Sequence, residues 1–230
     1  FLRFNALSAQ LYQAFEAPVM LSDRPRLGGI LANTLRSPAL WSTLLPQQTL
    51  ARQVCQSFTD PRLRQLFGRY ATYVGGAPDR SPAVLALIWQ AEAQGVWAVQ
   101  GGMHALARAL AGVADRLGVA QLYETPVEKI VQKAGRVAQV ILSDGRALDC
   151  DAVVFNGDAQ ALAGGLLGQA ARPAVRPDGL SPRSLSALTF AIHGVADGFD
   201  LSYHNVFFQP GYATEFDDIF RQGRLPRHPT

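Results

Sequence analysis

The chain has 230 residues, which suits one large domain or parts of two, and 48% of them are hydrophobic, which is ample for a packed core. It carries 21 Lys and Arg residues against 18 Asp and Glu residues, so the formal net charge is +3. The excess is small and forms no dense basic block, which argues against nucleic acid as a partner.

Two cysteines, Cys55 and Cys150, are present, and neither lies in a C-x-x-C motif or at a metal-ligand spacing from a histidine. We therefore expect no metal site and predict two buried, reduced thiols. The chain starts at Phe1 without a charged leader and has no apolar run of roughly 18 residues, so neither a signal peptide nor a membrane span is expected. Both ends look cut, which favours an internal part of a longer protein.

The first 94 residues are predicted to be mainly helical, because apolar residues recur at helical spacing between prolines. One helix is predicted over residues 49–57. Asp60 is the predicted N-cap of the next helix, with Pro61 at its first position and Gly75 after its end.

The pattern changes after residue 94. A short extended run at 95–100 precedes a predicted amphipathic helix over 103–117 with one apolar stripe. Apolar residues then recur at every second position, which predicts strands at residues 121–123, 127–131, 137–142 and 146–150. The apolar run 152–155 is typical of a strand in a covered parallel sheet, and Asp158 is the predicted cap of a helix over 159–167.

After a connector rich in Pro, Gly and Ala at residues 168–182, the sequence predicts strands at 184–195 and 205–209 and a helix over 212–221. The order of helices, a β-rich block, strands and a last helix predicts an α+β fold, with one piece like half of a nucleotide-binding fold.

No familiar catalytic set is present. The four histidines lie at no dyad spacing from a carboxylate, and neither G-x-S-x-G nor H-E-x-x-H occurs, so the catalytic residue stays unassigned. A bound cofactor can carry a reaction without protein acids and bases. Paired glycines at 75–76 and 101–102 let backbone approach a flat ligand, although alone they are more typical of turns at helix ends.

Five ordered runs stand out: Arg69-Tyr-Ala-Thr-Tyr-Val-Gly-Gly-Ala-Pro78, Gly95-Val-Trp97, Gly101-Gly-Met-His-Ala-Leu-Ala107, Thr125-Pro-Val127 and Ala152-Val-Val-Phe-Asn-Gly-Asp158. Together they resemble the phytoene-desaturase family of flavoproteins. Two further runs, Ser181-Pro-Arg-Ser-Leu-Ser-Ala187 and His204-Asn-Val-Phe-Phe208, resemble its bacterial branch that desaturates hydroxylated or methoxylated carotenoids.

The resemblance implies a Rossmann-like FAD-binding domain interleaved with a substrate domain of helices and antiparallel sheet. It assigns residues 1–94 to the mainly helical substrate domain, 95–167 to part of the FAD-binding domain and 168–230 to a return into the substrate domain. It also implies FAD as cofactor, a carotenoid as substrate, and a cytoplasmic location held peripherally on the inner membrane surface. The reaction implied is dehydrogenation, at C3–C4 of a 1-hydroxy or 1-methoxy carotenoid.

By position, the resemblance implies flavin contacts in three places. Gly101, Gly102 and Met103 match the turn that approaches the flavin ring. The backbone of Val127 matches the position that meets the adenine, and Asn156 and Asp158 match a strand end lining the same site. The glycine-rich G-x-G-x-x-G segment of the family is absent from this sequence, so weak or no FAD binding is expected of this piece alone.

Aromatic residues are the predicted contacts of a long polyene, with a place in the core as the alternative for each: Tyr70, Tyr73, Trp89, Trp97 and Phe207. Arg69 and His204 could meet a hydroxyl or methoxy end group. Two other functions stay open: another flavin oxidoreductase, such as an amine oxidase or a retinol saturase-like enzyme, and a non-catalytic protein that binds an apolar ligand.

Overall fold

The computed structural model describes residues 1–25, 28–29, 32, 40–45, 47–175 and 187–230. The chain divides into two compact units. Unit 1 comprises Phe1–Ala98 together with Ser184–Thr230, and unit 2 comprises Val99–Arg183. This division assigns no role to either unit, so the functional domains 1–94, 95–167 and 168–230 stay a prediction.

The helices and strands follow in chain order. They are α1 (Leu2–Phe15), a π-helical turn (Glu16–Met20), α2 (Trp41–Leu44), α3 (Leu50–Ser57), α4 (Pro61–Gly68), 3-10 helices at Arg69–Val74 and Ala83–Leu87, α5 (Ile88–Ala93), α6 (Met103–Arg116), β1 (Val127–Lys133), β2 (Arg136–Leu142), β3 (Ala147–Asp149), α7 (Ala159–Ala163), a 3-10 helix at Gln169–Ala174, and α8 (Tyr212–Phe220).

Local capping explains where α3 and α4 begin. The Thr49 side chain accepts a hydrogen bond from the backbone N–H of Arg52. Asp60 Oδ1 accepts one from the Arg62 N–H at 2.8 Å, and Pro61 stands at the first helical position. Side-chain acceptors satisfy N–H groups that a helix start leaves unpaired, so both predicted starts are confirmed.

Unit 1 has an aromatic core in which Phe67 of α4 is central. Phe58 stacks on it with ring centroids 4.9 Å apart, and Phe4 of α1 lies 4.7 Å away. Trp89 of α5 meets the same ring edge-on at 5.4 Å. These rings join α1, α4 and α5 into one packed body, because stacked and edge-to-face pairs add to the energy of apolar burial.

The carboxy-terminal segment of unit 1 packs onto α4 and the turn after it. Gln65 Nε2 donates a hydrogen bond to the Gln209 carbonyl at 3.0 Å, and the Arg80 guanidinium lies over the Phe220 ring at 5.5 Å. Asp218 is buried and accepts hydrogen bonds from Arg224 Nη2 at 2.6 Å and Nε at 3.0 Å. This ion pair holds the chain after α8 against the helix.

We expect Asp218→Asn to destabilise the protein at neutral pH but not in acid. The hydrogen bond from Arg224 holds the pKa of the Asp218 carboxyl below its usual range. A carboxyl whose pKa is lower in the folded state stabilises the protein at pH values above its pKa in the unfolded state. This stabilisation is lost as the pH falls through its pKa in the folded state. Unfolding followed by circular dichroism should show a higher free energy of unfolding for the wild type than for the variant above about pH 5. This difference should shrink below about pH 4. Arg224→Gln should give the same profile, and a difference independent of pH between 7 and 3 would contradict the expectation.

Unit 2 contains an antiparallel sheet of order β1-β2-β3. Ile130 pairs with Val140, and Val140 pairs with Leu148 on its other side. A tight turn at Asp144-Gly145 joins β2 to β3: Asp144 accepts a hydrogen bond from the Arg146 N–H, and Gly145 has a φ of 85°. The period-two pattern therefore located these three strands correctly.

The strands predicted at 121–123 and 152–155 are wrong. Both stretches lack strand structure, and the Val154 side chain is 95% exposed. A parallel strand forms only where a neighbouring strand takes its N–H and C=O groups, and in the described part of the chain none pairs with this run. The predicted helix 159–167 is also too long, because α7 ends at Ala163 before Gly164-Gly165.

The later strand predictions are wrong as well. Residues 187–195 and 205–209 form no strand and are largely exposed, while 184–186 lie outside the described residues, as does most of the 181–187 motif. Among the described residues of unit 1, the predicted antiparallel sheet of the substrate domain is therefore not found. The overall class is α+β, with the sheet in unit 2.

Two expectations about burial also fail. Cys55 is exposed and Cys150 only half-buried, because Val54 takes the inward position beside Cys55 on α3. Helix α6 forms as predicted, but it buries none of its residues. A helix buries its apolar stripe only where another element covers it. None of the described helices is long and apolar enough to cross a membrane.

Candidate functional site

Unit 1 contains a cavity of about 1130 Å³. Helices α3 and α4, the turn at 77–80 and residues 208–221 form its walls. Most of the lining is apolar, and it includes Val54, Cys55, Gly68, Ala77, Phe208, Tyr212, Phe216 and Phe220. Small-molecule sites are usually about 300–1,000 Å³, so this cavity is large enough for a long apolar ligand.

The arginine side chains of the lining contact other groups of unit 1. Arg62 pairs with Asp60 at 2.8 Å, and Arg221 with Asp217 at 3.2 Å. Arg64 Nε donates to the Phe58 carbonyl at 2.7 Å. An apolar wall whose guanidinium groups are already engaged suits an uncharged ligand better than an anion.

A second feature of unit 1 is a polar group that we name the Glu92 cluster: Arg69, Tyr70, Tyr73 and Glu92. The Glu92 carboxylate accepts hydrogen bonds from Tyr70 Oη at 2.8 Å, from Tyr73 Oη at 2.9 Å, and from Arg69 Nη2 at 3.2 Å to each oxygen. Arg69 Nη1 also donates to Tyr73 Oη at 3.1 Å. The cluster ties the 3-10 helix after α4 to α5.

The environment keeps both tyrosine hydroxyls protonated. Burial, followed by the hydrogen bond to Glu92, raises the pKa of Tyr70, and the same two causes raise the pKa of Tyr73. Both groups therefore act as donors to Glu92 at neutral pH. Arg69 Nε is a buried donor of the cluster that no acceptor of the described residues reaches.

The five predicted substrate residues all lie in unit 1, but not together. Tyr70, Tyr73 and Trp89 border the aromatic core, with the two tyrosine rings 5.6 Å apart. Trp97 is 82% exposed, and Phe207 is exposed beside Phe199. None of the five is among the described residues that line the cavity. Their contact with substrate stays a prediction.

The predicted flavin residues all lie in unit 2 on three separate elements. Gly101 and Gly102 have φ values of 79° and 80°, which favour glycine, and lead into α6 at Met103. No atom in the described part of the chain lies within 4 Å of a Cβ built at Gly102, so the backbone there is open to approach. No described side chain caps this helix start. The Ala105 N–H donates to the Gly102 carbonyl at 3.0 Å, so the N–H groups of Met103 and His104 are the ones open to an acceptor.

The other predicted flavin residues are also accessible. Val127 begins β1 opposite Leu142 and is partly exposed. Asn156 is exposed in the loop before α7, and Asp158 Oδ1 accepts a hydrogen bond from the Gln160 N–H as the cap of that helix. Asp158 therefore has a structural role in this loop, and the nucleotide contacts of these residues stay predictions.

Sequence reasoning missed Glu92 and the cavity. Glu92 is the one charged residue of α5, and a lone carboxylate in an apolar stretch is a signal that a partner must exist. Its partners stand 19–23 residues earlier, beyond helical spacing, so the pattern alone does not pair them. The cavity joins residues from 51–80 to residues from 208–221, which no local pattern links.

Comparison with known proteins agrees with the resemblance noted from the motifs. Residues 29–195 match the model of the family described as flavin containing amine oxidoreductase. The chain is 50% identical over its full length to the hydroxyneurosporene desaturase of Cereibacter sphaeroides and 46% identical to that of Rhodobacter capsulatus, covering 46% of each relative. It is 34% identical over 177 residues, 76% of its length, to the 1-hydroxycarotenoid 3,4-desaturase of a Flavobacterium species, covering 36% of that protein.

The chain thus spans a little under half the length of the curated relatives that match it in full. The identities extend over both units, and the resemblance to the phytoene-desaturase family is confirmed. With the family model matching most of its length, this chain belongs to the flavin containing amine oxidoreductases.

Proposed function

We propose that this chain contributes to an FAD-dependent desaturase that removes two hydrogens from a carotenoid, at C3–C4 of a 1-hydroxy or 1-methoxy substrate. The names of the relatives suggest the substrate class. The observation that carries the proposal is the apolar cavity of about 1130 Å³ in unit 1. A carotenoid is long, uncharged and almost wholly apolar, and the lining matches that chemistry.

The role of unit 1 in this proposal is alignment. Apolar burial favours binding by about 25 cal/mol per Å² of surface removed from water, without fixing direction. The walls of the cavity would set how deeply the carotenoid enters. This depth decides which carbon–carbon bond of the substrate reacts. The conjugated chain of the substrate can itself spread developing positive charge, so the walls need not supply a strong base.

Unit 2 is proposed as part of a Rossmann-like FAD-binding domain. When bound, FAD would accept the hydride taken from one carbon of the substrate, and the neighbouring carbon would lose a proton to water. The open backbone at Gly101-Gly102 and the uncapped start of α6 fit a flat, oxygen-bearing group, and Val127, Asn156 and Asp158 are accessible to a nucleotide. We further propose a cytoplasmic, peripheral position on the inner membrane, because a carotenoid dissolves in the bilayer; flotation with lipid vesicles tests this.

The test of function uses the protein encoded by the complete reading frame. Its visible spectrum is recorded, and it is incubated anaerobically with a 1-hydroxycarotenoid in liposomes. We expect a flavin spectrum that bleaches while the polyene absorption moves to longer wavelength. A colourless protein would point to a binding protein, and a flavin that stays oxidised with every carotenoid would point to another oxidase; either outcome overturns the proposal.

Filling the cavity should impair turnover without unfolding the protein. Ala213 is an exposed residue of α8 that lines the cavity, so Ala213→Trp places an indole in the space. We expect kcat/KM for the carotenoid to fall about 10- to 100-fold, because small displacements of a substrate have effects of that size. Ala6→Trp, on an exposed position of α1 outside the lining, is the matched control and should keep its activity. Equal activity of the two variants would place the substrate elsewhere.

A further inference from the structure

We infer that the Glu92 cluster receives the terminal oxygen of the substrate, with Arg69 Nε as the donor that selects an oxygenated end over a hydrocarbon end. The inference rests on the proposed function and deepens it. It assigns a specificity-determining role to Arg69.

A count of donors leads to this atom. A guanidinium has five N–H groups and a carboxylate about four acceptor positions. The four hydrogen bonds from Arg69, Tyr70 and Tyr73 fill the Glu92 carboxylate, and Arg69 Nη1 is engaged by Tyr73 Oη. These contacts use three of the five N–H groups of Arg69 and leave one on Nη1 and one on Nε. Of these two nitrogens, Nε is buried and has no partner at all among the described residues. Buried donors in folded proteins nearly always have an acceptor, so this one calls for an oxygen from outside the cluster.

The cluster adjoins the cavity wall along the chain, and its four residues are not themselves among the described lining residues. Arg69 directly follows Gly68, which lines the cavity together with Tyr212, and a Cβ built at Gly68 would lie 3.9 Å from the Tyr212 ring. Burial raises the pKa of Tyr212 most and the charge of Glu215 adds to it, while the charge of Arg69 lowers it. A long apolar space beside a cationic donor matches a polyene with one terminal oxygen.

The donor also explains selection. A hydroxyl and an ether oxygen both accept a hydrogen bond, and a bond from a charged donor is stronger than a neutral one. A hydrocarbon end would leave Arg69 Nε unpaired, and sites built to bond a substrate oxygen discriminate strongly against analogues that lack it. The competing explanation is that the cluster only ties two helical segments together. If the cluster were purely structural, a substitution in it would lower kcat/KM equally for both kinds of substrate.

The experiment measures kcat/KM of the complete protein for a 1-hydroxycarotenoid and for its counterpart without the hydroxyl. Arg69→Lys keeps a positive charge beside Glu92 but removes Nε. We expect it to lower the preference for the hydroxylated substrate about tenfold or more, the effect of losing one charge-assisted hydrogen bond. Glu92→Gln disturbs the same cluster and keeps Nε, so it should retain most of the preference. If Arg69→Lys fails to fold, the uncharged double variant Arg69→Gln, Glu92→Gln also lacks Nε and should show the same loss.

The outcomes separate the two proposals. If the wild-type protein converts the carotenoids and loss of Nε leaves their ratio unchanged, or lowers both rates equally, the inference is overturned and the proposed function stands. If the wild-type protein converts neither substrate, the proposed function fails and the inference falls with it.

Discussion

Phe67→Ala is expected to lower the free energy of unfolding by about 3–5 kcal/mol, the usual cost of removing a buried phenyl ring. Phe67 is 3% exposed and touches rings of Phe4, Phe58, Tyr70 and Trp89. Its loss removes apolar burial and leaves a void that α1, α4 and α5 cannot close without moving together. The neighbouring cavity wall at Gly68 would lose its support in the same step.

Urea unfolding of the complete protein, followed by circular dichroism, measures this change. Phe190→Ala is the matched control, because the Phe190 side chain is 73% exposed and its removal should cost no more than about 0.5 kcal/mol. Similar midpoints for the two variants would mean that the aromatic core does not limit the stability of the fold.

Glu92→Leu is expected to cost about 3–5 kcal/mol, because it leaves the Arg69 charge without its partner. The side chains of Arg69 and Glu92 are 19% and 24% exposed, so water can replace little of the lost interaction. Tyr70, whose side chain is buried, would also lose the acceptor of its hydroxyl. Both effects act on the contact between the 3-10 helix Arg69–Val74 and α5.

A double variant checks the cause. Arg69→Met combined with Glu92→Leu removes both charges, so it should recover a large part of the loss, since replacing a whole buried ion pair by apolar groups is often nearly neutral. Glu92→Gln should fall between wild type and Glu92→Leu, because its amide oxygen still accepts hydrogen bonds. A double variant as unstable as Glu92→Leu would show that the loss comes from packing rather than from the unpaired charge.

Family membership could be read from the sequence, because it depends on short runs in a fixed order rather than on contacts. The runs around Arg69, Trp97 and Gly101 carried the resemblance, and the comparisons confirm it. The flavin and substrate roles assigned to particular residues have not been tested in the same way and stay predictions.

The sequence by itself determined the features that depend on neighbours along the chain. The caps Thr49, Asp60 and Asp158 start their helices, and the alternation of β1 and β2 folds them into a hairpin. The cap hydrogen bonds and the alternation of apolar residues each involve residues only a few positions apart. The conformational preferences of neighbouring residues are therefore sufficient to produce them.

Only the tertiary structure decided the rest. Apolar runs at 152–155 and 187–195 have the composition of strands but remain unpaired in the described part of the chain, because pairing needs a neighbour that composition cannot supply. The Glu92 cluster and the cavity each join segments far apart in sequence. Their geometry follows from how α3, α4, α5 and α8 pack, and packing is a property of surfaces meeting in space rather than of residue order.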